Sequence, residues 1–267
     1  MIQDEGKRGS RARGKVGNQD IANAVRETIL RLGSCRVATL AAELQVSEVS
    51  IRKSLNELER QGIVRRFHGE ARVYNGDEIP FRMHIHFAEK QAIAARAGSL
   101  VEQGDSILLE AGSALAMFAE RLKAVRGLTV ITPNLFIARL FRGSKVKVLV
   151  LGGIYQEESE SLVGPAVCEA IRSVGFSKSF FGVSGFTAAD GFMLNDIARA
   201  EVTRAILERG AECGAKAWVL TDSSKFGSSH AAVVCSDLSL IAGVVTDPGI
   251  SDEYRRHLEA AGLQVLF

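Results

Sequence analysis

The sequence predicts an α/β chain with an N-terminal winged helix-turn-helix domain followed by a mainly parallel α/β domain. Two patterns carry this. Residues 21–74 read as three helices, the last one capped, and then a short hairpin. From residue 106 onward, short continuous apolar runs alternate with helical periods, which is the pattern of strands buried on both faces of a parallel sheet. Charge divides the same way: residues 1–75 hold 14 Lys and Arg against 9 Asp and Glu, and the remainder holds 19 against 22. A basic head on a mildly acidic body suits a DNA module joined to a sensor or an enzyme.

Residues 1–18 are rich in Gly and charge, with Lys7, Arg8, Arg11, Arg13 and Lys15 close together and no periodicity. They are expected to form a disordered basic arm, either a solvated tail or an extra contact to phosphates or a minor groove. The winged domain is expected over 19–74. Ile21, Ala24, Val25, Thr28, Ile29 and Leu32 recur at helical spacing before Gly33, and a shorter helix follows from Ala38 to Leu44. Ser47 is a good N-cap for a third helix on which Ile51, Leu55 and Leu58 share one face. The opposite face carries Val49, Lys53, Asn56 and Arg60, flanked by Ser50 and Arg52. That face offers cations to phosphates, polar groups to base edges and a small apolar side chain to a thymine methyl. Gly62 is placed to end the helix in the left-handed conformation. Ile63–Phe67 and Ala71–Tyr74 read as a wing turning at His68-Gly69, with Arg65, Arg66 and Arg72 on it. A plain amphipathic helix with a solvated face is the bland alternative.

Leu40, Leu44, Val46-Ser47, Ser50-Ile51-Arg52-Lys53, Leu55, Leu58, Gly62 and Arg66-Phe67-His68-Gly69 resemble the N-terminal signature of the DeoR family of bacterial transcriptional regulators. The resemblance implies a helix-turn-helix over Cys35–Ser54 that reads a double-stranded operator. It departs at Ser50, Lys53, Ser54 and Glu70, where the family usually has Thr, Arg, Asp and Gly. Lys53 keeps a charge but loses bidentate reading of a guanine.

Residues 75–80 form a turn-rich linker in which Pro80 favours extended backbone. The second domain is expected over 81–267. His84-Ile85-His86 has a spacing that would suit a metal only from a strand, and no metal or other cofactor is expected. Strands are expected at Ser106–Leu109, Leu128–Ile131, Val146–Leu151, Ser179–Val183, Ala217–Leu220, Leu240–Val245 and Gln264–Leu266. Asp190-Gly191 looks like a hairpin turn, and Ile197–Arg209 and Asp252–Ala261 like helices. Cys35, Cys168, Cys213 and Cys235 are scattered and read as reduced thiols. No apolar stretch is long enough to span a membrane, and no signal peptide is recognisable, so a cytoplasmic location is expected.

Ligands of open α/β sheets bind beyond the carboxyl ends of the strands. Small and polar residues gather there: Glu110, Gly112 and Ser113, then Thr132 and Asn134, Gly152 and Gly153, Gly185, and Asp222 with Lys225. Gly112-Ser113 precedes a helix, so its amides and dipole suit a phosphate, and Lys225 is a natural mate for it. Any βα turn prefers such cap residues, so no single one of them is strong evidence.

Gly152-Gly153, Ser161–Pro165, Phe181-Gly182, Gly185, Asp190-Gly191, Asp222–Gly227 and Thr246-Asp247 are similar to the DeoR-type C-terminal sensor domain. The resemblance implies a fold related to ribose-5-phosphate isomerase and coenzyme A transferases. It also implies a regulator, mostly a repressor of carbohydrate operons, released by a phosphorylated sugar. Glu110-Ala111-Gly112-Ser113-Ala114 departs from the family's Asp-Ser/Gly-Gly-Thr-Thr loop, and Pro133 is inserted in what is usually a Thr-Asn turn. A homo-oligomer, dimer or tetramer, is expected because one winged helix has a small footprint. The rival reading is an isomerase-like enzyme with an accessory DNA-binding domain, in which Glu110, Asp222 and Lys225 move a proton.

Overall fold

The computed structural model describes residues 18–60, 63–67, 69–73 and 79–267. The basic arm, Gly62, His68 and most of the linker lie outside them, as does the side chain of Arg65. The chain divides after residue 74 into two compact units, each taken by itself below.

The first unit runs α1 (Asn18–Leu32), β1 (Ser34–Arg36), α2 (Val37–Leu44), α3 (Glu48–Arg60), β2 (Val64–Phe67) and β3 (Glu70–Val73). The expected helix-turn-helix and wing are present, with α1 beginning at Asn18. Ser34–Arg36 adds a third strand, antiparallel to β3 in the order β1-β3-β2. Val25, Ile29, Leu40, Ile51 and Leu55 are fully buried and bind the three helices together. Gln45 adopts the left-handed conformation (φ 54°) at the turn between α2 and α3.

The second unit begins with α4 (Ile79–His84), α5 (Phe87–Gly98), β4 (Ser106–Leu109), α6 (Ser113–Leu122), β5 (Thr129–Thr132), α7 (Leu135–Leu140) and β6 (Lys147–Val150). It continues with β7 (Ile154–Gln156), β8 (Ser161–Val163), α8 (Pro165–Arg172), β9 (Lys178–Phe181), β10 (Gly185–Thr187), β11 (Gly191–Leu194), α9 (Ile197–Cys213) and β12 (Lys216–Leu220). β13 (Ala232–Cys235), β14 (Gly243–Val245), α10 (Asp252–Ala260) and β15 (Gln264–Leu266) complete it. Seven strands form one parallel sheet in the order β15-β14-β12-β9-β4-β5-β6. The side-chain period of two splits each strand between two cores. Ile107 and Leu109 of β4 pack with α5 and α6, while Leu108 joins the cluster beneath α8 and α9.

The structure corrects several expectations. Pro80 lies in the first turn of α4 and not in extended chain, because the ring is tolerated where a helix amide lacks an intrahelical acceptor. His84 therefore ends a helix and His86 sits in a left-handed turn (φ 51°), so His84-Ile85-His86 is not a strand. The sixth strand starts at Gly243, since Leu238–Leu240 is a turn of 3-10 helix. The β7–β8 hairpin, α8 and β13 went unassigned. β13 joins the Asp190-Gly191 hairpin in a small second sheet, β10-β11-β13. Among the described residues no helix is long and apolar enough to cross a membrane.

Candidate nucleic-acid interface and ligand cavity

Ser47 caps α3, its Oγ accepting from the Ser50 amide at 3.2 Å. The helix buries Ile51, Leu55, Leu58 and also Ser54, and presents Val49, Arg52, Lys53, Asn56 and Arg60 outward. Val49 is 74% exposed, which leaves its apolar side chain open to contact from outside. Arg52 pairs with Glu48 at 2.7 Å and Arg60 pairs with Glu57, while Lys53 and Asn56 bind no described residue. Arg66 lies closer to the helix than the sequence suggested. Its Nε donates to Glu59 Oε2 at 2.9 Å and its amide to Glu59 Oε1 at 3.1 Å, which ties the wing to α3.

In the second unit the strand order reverses between β4 and β9: β5 and β6 extend one way, and β12, β14 and β15 the other. Such a switch point opens a crevice at the carboxyl ends, and a cavity of about 400 Å³ lies there. Three strand ends line it, through Ala111–Ser113, Gly182–Ser184, and Thr221, Asp222 and Lys225. Gly112 (φ 131°) takes a conformation open to glycine and passes the Gly182 backbone closely. It caps α6, leaving the amides of Ser113, Ala114 and Leu115 without intrahelical acceptors.

The walls are cationic. Arg82, Lys90, Arg199 and Lys225 line the cavity together with His86 and His230, and Asp222 is the carboxylate among them. Burial drives the Lys90 ammonium down to about 8 despite Asp222 nearby, and its Nζ donates to the Arg82 carbonyl at 2.6 Å. Burial opposes ionisation of Asp222, but the bonds from Ser224 and the charges of Lys225 and Lys90 outweigh it and hold the carboxyl below its usual range. Asp247 fixes the same turn by accepting from the Ser223 amide at 2.6 Å. Ser184 and Asn195 bond to one another across the rim.

Of the residues singled out in the sequence, Gly112, Ser113, Asp222 and Lys225 come together here, and the other six do not line the cavity. Glu110 is 1% exposed and is held by Arg199, whose Nε and Nη2 reach its two oxygens at 2.9–3.0 Å. Burial pushes the Glu110 carboxyl up against the pull of that guanidinium. Thr132 and Asn134 are fully buried clamps. Asn134 caps α7 by accepting from the Ile137 amide, and it donates to Ser159 and Ser161; Thr132 Oγ1 accepts from the Asn134 amide. A side chain at Gly153 would meet Val167 at 2.2 Å, and one at Gly185 would meet the Ser228 carbonyl at 2.1 Å, so both are packing glycines. Gly152 is exposed.

Sequence reasoning missed Arg82, His86, Lys90, Ser184, Asn195, Arg199 and His230. The cations among them left one signal, that Lys90 falls on the apolar face of α5 with Ile93, Ala94 and Ala97. The position of Lys90 has a measurable consequence. A phosphate monoester is dianionic above about pH 6, and Lys90 loses its charge near 8. Affinity for such a ligand is therefore expected to be highest between those values and to fall as pH rises through 8. Lys90→Met removes the falling limb in a calorimetric pH series, and an unchanged limb would clear Lys90 of this role.

A sequence model of the DeoR C-terminal sensor domain matches residues 85–248, and one of the DeoR-like helix-turn-helix domain matches residues 22–76. A lactose phosphotransferase system repressor from Staphylococcus epidermidis is 30% identical over 241 residues, which cover 87% of this chain and 93% of the relative. An L-fucose operon activator from Haemophilus influenzae is 30% identical over 233 residues, covering 85% and 91%. Among solved structures, ribose 5-phosphate isomerase A from Neisseria gonorrhoeae is similar over 58% of this chain and 56% of its own, at 14% identity and a TM-score of 0.36.

Proposed function

This chain belongs to the DeoR family of transcriptional regulators, and from that premise we propose that it is a cytoplasmic repressor whose operator grip is released by a phosphorylated sugar. It is a DNA-binding regulator of the sugar-operon kind. The finer reading has its main support in the cavity at the β4–β9 switch point. Arg82, Lys90, Arg199 and Lys225 line it with Asp222 as the one carboxylate among the lining residues, and Glu110 takes up the charge of Arg199. Lys90 and Lys225 suit a phosphate dianion, and the α6 amides can donate to it. Asp222, Ser184 and Asn195 suit the hydroxyls. The isomerase reading fares poorly, because Glu110, its candidate base, is buried on Arg199 and does not line the cavity. One relative is named a repressor and another an activator. A reporter behind the operator, with and without this protein, decides the direction.

For DNA we assign Ser47, Val49, Ser50, Arg52, Lys53, Asn56 and Arg60 of α3 and its cap, with Arg65, Arg66 and His68 of the wing. Lys53→Ala and Arg52→Ala are expected to weaken operator binding with the fold intact, since both side chains are exposed. Losing a base contact costs roughly 1–3 kcal/mol, whereas losing a phosphate contact lowers the salt slope by about one unit. Fluorescence anisotropy at several salt concentrations checks this, and parental affinity in both variants throughout would refute the assignment. The second unit is proposed to join copies of the chain so that two recognition helices meet repeated half-sites.

A further inference from the structure

We infer that the DNA interface extends from α3 onto α1, where Arg26, with Asn23 beside it, holds a backbone phosphate at the edge of the major groove that α3 enters. This rests on the assignment of α3 to DNA above and adds a second helix to it.

The two helices share one cleft. α1 packs on α3, and a cavity of about 490 Å³ lies between them. Asn23 and Arg26 line it from α1, and Val49, Ser50 and Lys53 line it from α3. The last three belong to the face assigned to DNA, so the α1 wall adjoins that face directly. Asn23 and Arg26 are three residues apart, which sets them side by side on the helix, and both are exposed.

The charges call for an anion. Arg31, Arg52, Arg60, Arg66 and Arg72 of this unit each pair with a glutamate. The side chains of Arg26 and Lys53 bind no described residue. Glu57 is the one carboxylate among the lining residues, and it accepts from Arg60. The cleft therefore offers two cations that no described side chain engages. Residues 1–17 hold five Lys and Arg against two Asp and Glu, so the N-terminal arm has the wrong sign to fill it.

Dimensions decide between a phosphate and a base. The major groove is about 12 Å wide, and an α-helix with its side chains is about 10–12 Å across, so one helix fills it. Packed helices lie about 8–10 Å apart, axis to axis. With α3 in the groove, α1 cannot enter beside it and meets the edge, which is the sugar-phosphate backbone. A guanidinium there matches two phosphate oxygens, and the Asn23 amide adds a donor. Such a contact fixes the register of α3 on the duplex and carries no base preference of its own.

The test uses the full chain, a labelled duplex that the parent selects from a randomised pool, and a mixed-sequence duplex of equal length. Arg26→Ala is expected to lower the slope of log affinity against log salt by about one unit for each chain bound. Its preference for the selected duplex over the mixed one is expected to stay parental, and its circular dichroism too, because the side chain is exposed. Arg26→Lys keeps the charge and is expected to restore the slope. Arg31→Ala removes an equal charge from α1 outside the cleft and is expected to leave the slope unchanged. Ethylation of single phosphates is expected to find a position that weakens the parent and not Arg26→Ala. A parental slope in Arg26→Ala, or an equal fall in Arg31→Ala, would overturn the phosphate contact. A lost preference would overturn it as well, by making Arg26 a reader of bases. Where Arg26→Ala keeps the parental slope, weak binding by Arg52→Ala and Lys53→Ala would sink the α1 contact alone, and parental binding by both would sink the α3 assignment with it.

Discussion

Arg199→Ala is expected to lower the melting temperature of the second unit by roughly 10 °C, the largest stability loss expected of any single substitution discussed here. The side chain is 7% exposed and its partner Glu110 is 1% exposed. Removing the guanidinium strands a buried carboxylate, which costs about 3–5 kcal/mol. The pair itself is not expected to be worth that much, because both charges were desolvated to form it. Glu110→Leu added to Arg199→Ala is therefore expected to recover much of the loss, and circular dichroism melts of the single and double variants separate the two effects. The pH dependence has a definite sign. Burial already raises the Glu110 carboxyl, and losing Arg199 raises it further. The folded variant then binds a proton that the unfolded chain releases above the ordinary glutamate range. Its deficit should shrink at low pH and grow as pH rises through that window. A single variant that melts with the parent at neutral pH would show that the pair is not the buried contact described.

That pair also shows where sequence reading stopped. Asp222, Lys225, Gly112 and Ser113 were legible because they follow strands directly, and a strand end is a fixed address in a parallel sheet. Arg199 was not, because its role depends on where α9 packs, 89 residues from Glu110. Thr132 and Asn134 have the composition of ligand residues, but a helix cap needs the same groups, and here the cap uses them. α3 was read well because a single period of 3.6 separates Ile51, Leu55 and Leu58 from Lys53 and Asn56 without reference to the rest of the fold. The pairing of Arg66 with Glu59 needed the wing to fold back on the helix, and no local pattern encodes that. β13 and the β7–β8 hairpin were missed for a similar reason. Each is three or four residues long, and each is defined by a partner strand and not by its own periodicity.

Lys225→Ala is expected to raise the effector concentration needed for operator release roughly 10- to 100-fold, while operator affinity without effector stays at the parental value. Lys225 sits in the turn after β12, half-buried, on the wall of the cavity that α6 points into. Its ammonium has no carboxylate within ion-pair distance among the described residues, so its charge is available to a ligand. A hydrogen bond to a charged group contributes about 1.5–3 kcal/mol, which sets the size of the effect. Operator affinity is untouched because a ligand shifts an equilibrium only through its differential affinity for two states, and without ligand there is no difference to lose. Lys225→Arg keeps the charge and should retain part of the response. Anisotropy titrations of labelled operator with a panel of sugar phosphates, and with the same sugars unphosphorylated, supply the measurement. Equal release of parent and Lys225→Ala by one sugar phosphate would remove Lys225 from the site. Release by the unphosphorylated sugar alone would remove the phosphate from the effector and leave the regulator itself standing.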